Sequence, residues 1–407
     1  LKEFSFCEED GSDEGRAMMQ LIYDIAPGAR QLFYTAFESP IDFAAGIHAL
    51  ADEGAKIIVD DVRYLAEPMF QDGIIAQAVN EVTAQGVTYF SSAGNYARLS
   101  YENNFIAGND LLSYDDAHDF GKAAGEASDF YQKITIPANQ EIMISLQWDD
   151  PAESAGGKGA ETDLDVFLLD ASKQRIITSS QDSNIGHDPV ELFVVNHSLD
   201  TSEFYLYVSH RAGPAPQKLK YIIFKAAIAP WAEIQQDEMT QLSIIVENGE
   251  AILTPLSGGV AVVVLDGLIY EVGGTDLPIL VGSKNKPLIL INDRLQELGP
   301  NTDVPVYFVP DDYAYRLGPN GIELYQSAGD FTPVSIDQYP TFSSTIFGHP
   351  NAAGAIAVGA IPYEETPWFG TEINHAKIES FSSFGGTAIL FDNDGNRLSK
   401  AIIPLKP

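Results

Sequence analysis

The sequence predicts an α/β protein in which a parallel sheet flanked by helices is interrupted by β-sandwich or jelly-roll insertions. Two observations carry this prediction: helices alternate with short apolar strands over about the first hundred residues, and the same texture returns near residue 341. A chain of 407 residues is also too long for one ordinary domain. We therefore predict a split α/β domain (1–115 and 335–407), a β jelly roll (116–226) and a second β-rich insertion (227–334).

The N-terminal elements follow from hydrophobic periodicity. Apolar residues spaced for one helical face predict helices over 13–24, 41–53 and 73–85. Short apolar runs predict strands over 31–35, 57–59 and 87–91, the second of them buried. Because helices and strands alternate, the strands should form a parallel sheet with right-handed crossovers.

The middle of the chain has a different pattern. Between residues 130 and 224, short alternating strands are separated by turn residues, at 131–136, 141–147, 166–169 and 204–208. This pattern is typical of a sandwich or jelly roll. Further strands are predicted over 260–265, 279–281 and 288–291. A buried strand over 355–360 then marks the return of the first sheet.

The charge of the chain narrows the classes of function. It carries 58 acidic and 23 basic side chains, a formal net charge of -35. Such a field repels nucleic acid and anionic lipid, and it suits a protein that stays soluble outside the cell. No apolar run reaches membrane-spanning length. We expect an extracellular or cell-surface protein with no nucleic-acid partner and no membrane span, cut at both ends. Cys7 alone cannot form an internal disulfide.

Four segments, taken in order, resemble the subtilase family of serine peptidases. They are residues 13–18 leading into Ile-Ala-Pro-Gly at 25–28, residues 86–95 ending in Ser-Ala-Gly-Asn, Ala-Ile-Ala-Val-Gly-Ala at 355–360, and Phe-Ser-Ser-Phe-Gly-Gly at 381–386. Each is weak alone, but their order and placement make the resemblance specific. It implies a subtilisin-like sheet and an endopeptidase that hydrolyses peptide bonds in proteins and requires no cofactor.

A second resemblance falls on the predicted jelly roll. Residues 134–188 are similar to the pre-peptidase C-terminal module, notably in Gln-Trp-Asp-Asp-Pro at 147–151 and Thr-Asp-Leu-Asp at 162–165. That module often accompanies secreted bacterial peptidases, so the resemblance implies a secreted protein that acts on protein or peptide substrates.

Asn95 matches the oxyanion-hole asparagine of subtilases. Its side-chain amide would point at the negative charge that develops in the transition state, and loss of such a donor costs about 100- to 1000-fold in turnover. Gly-Asn also suits a turn after a strand. Because the surrounding segment matches, we favour the catalytic interpretation.

Glu14 stands where the subtilase helix begins with its histidine base. The helix begins Glu-Gly-Arg instead of His-Gly-Thr, and none of the seven histidines lies at that helix start; we expect them to be surface or structural residues. A glutamate base resembles the sedolisins, which use a Ser-Glu-Asp arrangement. In them an aspartate follows four residues later, where this chain has Met18, and an aspartate replaces the oxyanion asparagine.

Two interpretations of Glu14 follow. In the first, Glu14 is the general base, oriented by an aspartate encoded upstream, and the enzyme works at mildly acidic pH because a carboxylate with a pKa of about 4.3 stays ionised there. In the second, Glu14 is an acid favoured by the helix dipole, in a domain kept for binding. We favour the first.

The nucleophile is the part of the subtilase pattern that the sequence lacks. The family places it in Gly-Thr-Ser-x-x-x-Pro, whereas Gly-Thr at 370–371 is followed by Glu372 and Gly-Thr at 386–387 by Ala388. Ser382 and Ser383 are interpreted as structural. We expect that these 407 residues alone do not hydrolyse peptides. The alternative is a catalytically inactive surface protein whose β modules bind glycan or protein.

Three groups of carboxylates could bind ions. Asp60 and Asp61 follow a predicted strand and suit a pocket and a loop cap equally well. The aspartates at 149–150, 163 and 165 are ligands of the kind calcium prefers, which makes a structural calcium ion conceivable, but their spacing favours a solvated β surface. The Asp-rich segment 392–396 is best explained as a hairpin turn.

Overall fold

The structure, a computed structural model, describes residues 13–36, 38–109, 116–137, 140–197, 203–225, 334–362 and 377–407, together with the backbone of strands between 244 and 326. The chain divides into two compact units. The first comprises Leu1–Ala226 and Val334–Pro407, and the second comprises Ala227–Pro333.

The described elements of the first unit alternate and then turn to strands. Up to residue 92 they are α1 (Glu14–Ile25), α2 (Pro40–Asp52), β1 (Ile57–Asp60), α3 (Ile74–Ala84) and β2 (Thr88–Ser92). From residue 100 to 225 they are β3 (Ser100–Asn104), β4 (Ala107–Asn109), β5 (Asp116–His118), α4 (Phe120–Ala123), β6 (Gln132–Thr135), β7 (Gln140–Trp148), β8 (Asp163–Asp170), β9 (Ile176–Ser180), β10 (Val190–His197), β11 (Glu203–Ala212) and β12 (Lys218–Lys225).

The second unit, described by its backbone alone, consists of antiparallel strands. They are β13 (Ile244–Glu247), β14 (Glu250–Leu253), β15 (Gly259–Leu265), β16 (Leu268–Glu271), β17 (Ile279–Val281), β18 (Pro287–Ile291), β19 (Arg294–Glu297), β20 (Val306–Pro310), β21 (Tyr313–Gly318) and β22 (Gly321–Gln326). They pair in the orders β13-β14-β17-β18-β19, β16-β15-β20 and β21-β22. After this unit the chain adds β23 (Ser335–Ile336), β24 (Ala355–Val358), β25 (Ile389–Phe391) and β26 (Arg397–Ile402) to the first.

A parallel sheet of order β1-β2-β24 is the centre of the α/β part. Its third strand lies far along the chain from the other two, so the predicted return of the sheet after the insertions is confirmed. Helices α2 and α3 pack against one face, where Ile47, Ile75, Val79 and Tyr89 are fully buried. Ser39 starts α2 by accepting a hydrogen bond from the Asp42 backbone N–H, and Pro40 occupies the first turn.

The other face of this sheet is exposed. Ile57, Val59, Ile356 and Val358 are 61%, 45%, 46% and 51% exposed. The prediction of fully buried strands at 57–59 and 355–360 is therefore wrong for alternate residues. Continuous apolar runs are typical of parallel strands covered on both faces, whereas the described helices cover one.

No strand is assigned over 31–35, so that prediction is wrong. The segment instead packs on the helices through its side chains. Tyr34 donates a hydrogen bond to Asp42 (3.0 Å), and its ring lies over Gly46, where a Cβ would come within 2.4 Å of it. Gln31 donates to the Met19 carbonyl oxygen (3.1 Å). These side-chain contacts replace the sheet pairing that the β-forming residues suggested.

Two antiparallel sheets form a sandwich beside the α/β part. One has the order β10-β7-β12-β3, and the other β23-β6-β11-β5-β4, with β8 on β11 and β9 on β8. Both sheets contribute to one apolar core, which includes Trp148, Leu164, Phe204, Leu206 and Tyr221. The predicted alternation of strand residues is thus realised as two inner faces that pack together.

The sandwich and the α/β part are in direct contact. Met69, Phe70, Ile222, Phe224, Phe347 and Phe391 form a shared apolar cluster. The Gln147 side chain accepts a hydrogen bond from the Met69 N–H (2.7 Å) and donates to the Glu67 carbonyl oxygen (2.9 Å). These bonds fix the segment that follows β1 against the sandwich. The chain also passes from β2 of the α/β part to β3 of the sandwich within a few residues.

Candidate active site

The candidate site lies at the carboxyl edge of the parallel sheet, where β1 and β2 end side by side. β1 leads into Asp61, and β2 leads into the loop that contains Asn95. Because the strands run in the same direction, these segments emerge side by side. This edge is where open α/β sheets place their binding sites.

Glu14 is the first residue of α1, and its side chain reaches this edge. It is exposed at a helix N-terminus, where the macrodipole favours a carboxylate. The next residue must be small, because a Cβ on Gly15 would lie 2.4 Å from the Phe33 ring. Partial burial raises the pKa of Glu14, and a side-chain hydrogen bond with Asp61 and the charge of Asp61 raise it further.

Asp61 is the functional candidate that the sequence left undecided. Besides contacting Glu14, Asp61 acts on Tyr96 in the loop after β2. Burial raises the pKa of Tyr96, the nearby Arg63 lowers it, and the negative charge of Asp61 raises it further. Asp61 therefore interacts with Glu14 and with Tyr96, the residue that follows Asn95. The sequence predicts an orienting aspartate upstream of residue 1, and Met18 stands where sedolisins have theirs; in the structure the carboxylate next to Glu14 is Asp61, directly after β1.

The Asn95 loop is held by the Phe-Ser-Ser segment. Ser383 donates from its N–H to the Gly94 carbonyl oxygen (2.8 Å), and its hydroxyl accepts from the Tyr96 N–H (3.1 Å). The Ser382 hydroxyl accepts from the Ala360 N–H at 3.0 Å. Both serines are buried and bond to backbone amides, as expected of structural residues. Asn95 itself is exposed.

Asp60 belongs to a buried ionic cluster behind the site. His349 lies between two carboxylates, with Nδ1 2.7 Å from Glu67 Oε1 and Nε2 3.2 Å from Asp60 Oδ1. Ser91 donates to the same Asp60 oxygen (2.7 Å). All four side chains are buried. The alternation of β1 contained the signal for this cluster, since Asp60 shares the buried face of Ile58.

Charge pairing sets the protonation of this cluster. Burial lowers the pKa of His349, but the charges of Glu67 and Asp60 and their hydrogen bonds outweigh it and raise the pKa to about 9. Burial raises the pKa of Asp60, but the charge of His349 and the side-chain hydrogen bonds of Asp60, including that from Ser91, together outweigh it, so the net shift is downward. His349 is thus an imidazolium at neutral pH. Of the two adjacent aspartates, Asp60 is therefore structural, whereas Asp61 belongs to the candidate site.

The prediction of a solvated surface is wrong for Asp149 and Asp165, which are buried, whereas Asp150 and Asp163 are half-buried. Asp149 is 3% exposed and accepts from the Gln217 and Lys218 N–H groups and from Arg397. Asp165 is 4% exposed and pairs with Arg211. Asp150 and Asp163 likewise accept hydrogen bonds from backbone amides. These carboxylates serve as acceptors that close loops and strand ends.

In the part of the chain that the structure describes, no group of three or more His, Cys, Asp or Glu side chains could hold a metal ion. The segment 392–396 is a turn between β25 and β26, in which Asp392 accepts from the Asp394 and Asn396 N–H groups, so the hairpin prediction is confirmed. Every described helix is too short or too polar to traverse a bilayer.

Some of the residues considered in the sequence lie outside the described part of the chain, and others lie within it. Cys7 and the Gly-Thr pair at 370–371 lie outside the described residues. Thr387 is buried and donates to the Ile346 carbonyl oxygen. His118 is buried in the sandwich, where burial lowers its pKa to about 3 despite the opposing charge of Asp119.

Comparison with known proteins gives no further guide. No protein-family model matches the chain, and a search of curated proteins finds no match.

Proposed function

We propose that the chain carries the general base and the oxyanion donor of a subtilisin-like serine endopeptidase, whose nucleophile is not among these 407 residues. The observation that supports this most directly is the hydrogen bond between Glu14 and Asp61, at a sheet edge whose next strand leads to Asn95. A base, a group that orients it and an oxyanion donor are the parts that such chemistry needs around a serine.

The division of work follows from the chemistry of each group. The Glu14 carboxylate would take the proton of the attacking hydroxyl, and the Asp61 carboxylate would accept a hydrogen bond from Glu14 once Glu14 carries that proton. The Asn95 amide would donate to the oxyanion. Because the pKa of Glu14 is raised, its basic form prevails at higher pH than in an isolated glutamate, so activity should rise as Glu14 ionises.

The wider proposal keeps the expectations drawn from the sequence. The substrate is a protein or peptide, no cofactor is required, and the sandwich is a module of the pre-peptidase C-terminal type. The acidic charge of the chain supports a location outside the cell. The exposed apolar face of the parallel sheet supports a further covering element, since such sheets are normally buried on both faces.

Replacement of the proposed base tests the function. In a polypeptide that joins this chain to its downstream coding sequence, Glu14→Gln should lower kcat/KM for casein about 100- to 10,000-fold, because an amide cannot accept the proton. Glu81→Gln, an exposed glutamate on α3 (63% side-chain exposure), is the matched control. Unchanged hydrolysis in Glu14→Gln would exclude Glu14 as the base.

The coding sequence itself gives an independent test. A Gly-Thr-Ser-x-x-x-Pro segment should follow within a few tens of residues downstream, and a serine-directed phosphonate should label its serine. Continuous coding sequence without that serine, together with no labelling, would reject the peptidase.

A second candidate function rests on aromatic residues of the sandwich. Tyr131, Phe167 and Tyr207 form a row on the face opposite the core, with ring centroids 5.5 Å apart for Tyr131–Tyr207 and 6.1 Å for Phe167–Tyr207. Tyr131 and Phe167 are half-buried, and Tyr207 is 9% exposed. Lys173 lies 4.2 Å from the Tyr205 ring centroid. Aromatic surfaces of this kind serve recognition. Glycan binding by the whole chain without phosphonate labelling would favour a binding protein.

A further inference from the structure

Arg63 lies two residues beyond Asp61 and bonds to the chain on either side of the candidate site. Its guanidinium donates hydrogen bonds to the carbonyl oxygens of Ser92 (3.4 Å), Ala93 (3.0 Å) and Phe347 (3.2 Å). Two of these acceptors belong to the peptide groups that precede Ala93 and Gly94. Arg63 therefore binds the loop immediately before the proposed oxyanion donor.

The same guanidinium packs between two aromatic rings. Its central carbon lies 5.6 Å from the Tyr96 ring centroid and 5.2 Å from that of Phe347, within the range of cation–π attraction. Tyr96 directly follows Asn95, so Arg63 contacts the loop on both sides of that residue.

Gly94 shows how closely the loop lies on the guanidinium. A Cβ at this position would come 2.8 Å from Arg63 Nη2 and 2.9 Å from the Tyr96 ring. Gly94 also has φ of +90°, which residues with a side chain rarely adopt. The backbone before Asn95 thus has little freedom while Arg63 is in place.

We propose that Arg63 is a positioning residue that fixes the orientation of Asn95, an inference that rests on the peptidase function proposed above. The planar guanidinium of Arg63 directs its N–H groups at the three carbonyl oxygens from fixed angles. The ammonium of a lysine has no such fixed geometry and could not reproduce this pattern. Because Asp61 contacts Glu14 and Arg63 contacts the Asn95 loop, the residues 61–63 join the proposed base to the proposed oxyanion donor.

Hydrogen exchange of this 407-residue chain tests the positioning without any catalysis. The N–H groups of Ala93, Tyr96 and Ala97 are hydrogen-bonded in the native loop, so their exchange reports on it. Arg63→Ala should speed their exchange about 10-fold or more, and Arg63→Gln, which keeps one donor group, should have a smaller effect. Arg397→Ala, which removes bonds to Asp149 and Gln217 elsewhere, should leave them unchanged. Unchanged exchange in Arg63→Ala would overturn the inference.

Kinetics of the polypeptide that includes the nucleophile test the consequence. Arg63→Ala should lower kcat about 10- to 100-fold, with KM changed less than about twofold, because misplacement of a catalytic group by about 1 Å has effects of this size. Arg63→Lys should not restore kcat, whereas millimolar guanidinium added to Arg63→Ala should restore part of it. In an Asn95→Ala background, Arg63→Ala should cost little further. Equal losses in both backgrounds would overturn the inference.

Failure of the proposed function has a different signature. It would appear as unchanged kcat in Asn95→Ala itself. Failure of the Arg63 inference alone would appear as a reduced kcat in Asn95→Ala together with unchanged kcat and unchanged exchange in Arg63→Ala.

Discussion

The carboxyl groups of Glu14 and Asp61 can share a hydrogen bond only when one of them carries a proton. When Glu14 is protonated, this hydrogen bond ties the first residue of α1 to the residue after β1. In a histidine base, the second ring nitrogen makes the corresponding orienting bond. A glutamate offers no such ring, so a neighbouring carboxyl group is a direct way to fix its orientation.

Removal of the Asp61 charge tests this coupling. Asp61→Asn should lower the pKa of Glu14 towards that of an ordinary glutamate, because burial then acts without the neighbouring negative charge. Titration of 13C-labelled Glu14 carboxyl by NMR measures the pKa directly. In the active polypeptide, the acidic limb of kcat should move to lower pH.

Asp24→Asn, at the opposite end of α1, is the matched control and should leave the titration of Glu14 unchanged. A Glu14 pKa that does not fall in Asp61→Asn would show that the two carboxyl groups are not coupled.

At the scale of elements, His349 connects the end of β1 to the turn before β24. It bonds to Asp60 at the end of β1 and to Glu67 in the following segment. A positive charge between two carboxylates is the arrangement that stabilises a fully buried imidazolium. Loss of that charge would leave two buried carboxylates unpaired.

The pH dependence of stability should therefore fall on the alkaline side. His349 has a folded-state pKa of about 9 against an ordinary value of 6.5, so its contribution is complete below pH 6.5 and is lost as the pH rises through 9. The difference corresponds to roughly 3 kcal/mol in the free energy of unfolding. Asp60, whose pKa is lowered, contributes above its ordinary pKa and loses that contribution in acid.

Urea unfolding at pH 6 and pH 9.5 measures this effect. His349→Gln should be less stable than the wild type at pH 6 and should lack most of the alkaline loss. His48→Gln, on the surface of α2 (41% side-chain exposure), should follow the wild type. An equal alkaline loss in His349→Gln would assign it to other groups.

The elements themselves were largely predictable from the sequence. Hydrophobic spacing located α1, α2, α3, β1 and β2 to within about two residues of their bounds, because each buries one periodic face. Residues 31–35 were mispredicted because Tyr34 and Gln31 bond to helices, and such tertiary contacts leave no local pattern.

The candidate site was only half predictable. Glu14 and Asn95 stood out through their motifs, whereas the contact of Glu14 with Asp61 and that of Arg63 with the loop depend on chain crossings far apart in sequence. His349 could not be distinguished from a loop histidine, because its partners Glu67 and Asp60 lie almost three hundred residues earlier.

At the scale of the whole first unit, a buried lysine joins the sandwich to the α/β part. Lys220 on β12 is fully buried, with its ammonium 3.1 Å from Glu102 and 2.7 Å from the Ser344 hydroxyl. Ser344 lies in the segment that leads to β24. Together with the apolar cluster around Phe224 and Phe347, this connection should make the two parts unfold together.

Lys220→Met tests the connection. It should lower the free energy of unfolding by about 3 kcal/mol, because Glu102 loses a buried partner. Fluorescence of Trp148, with Trp231 and Trp368 replaced by phenylalanine, reports on the sandwich. This signal and hydrogen exchange of β1 and β2 should give the same transition. Lys218→Met, whose side chain is 33% exposed, should cost about 1 kcal/mol or less. Separate transitions for the two parts would contradict the coupling.

One face of the parallel sheet exposes the apolar side chains of Ile57, Val59, Ile356 and Val358 on a strongly acidic protein. These four side chains can make hydrophobic contacts, whereas the formal net charge of -35 makes the molecules repel one another. Salt screens the electrostatic repulsion between the molecules but does not weaken the hydrophobic attraction between their exposed apolar faces. The purified chain would stay dispersed in dilute buffer, and it would adsorb to phenyl resin, plastic and air–water interfaces as the ionic strength increases.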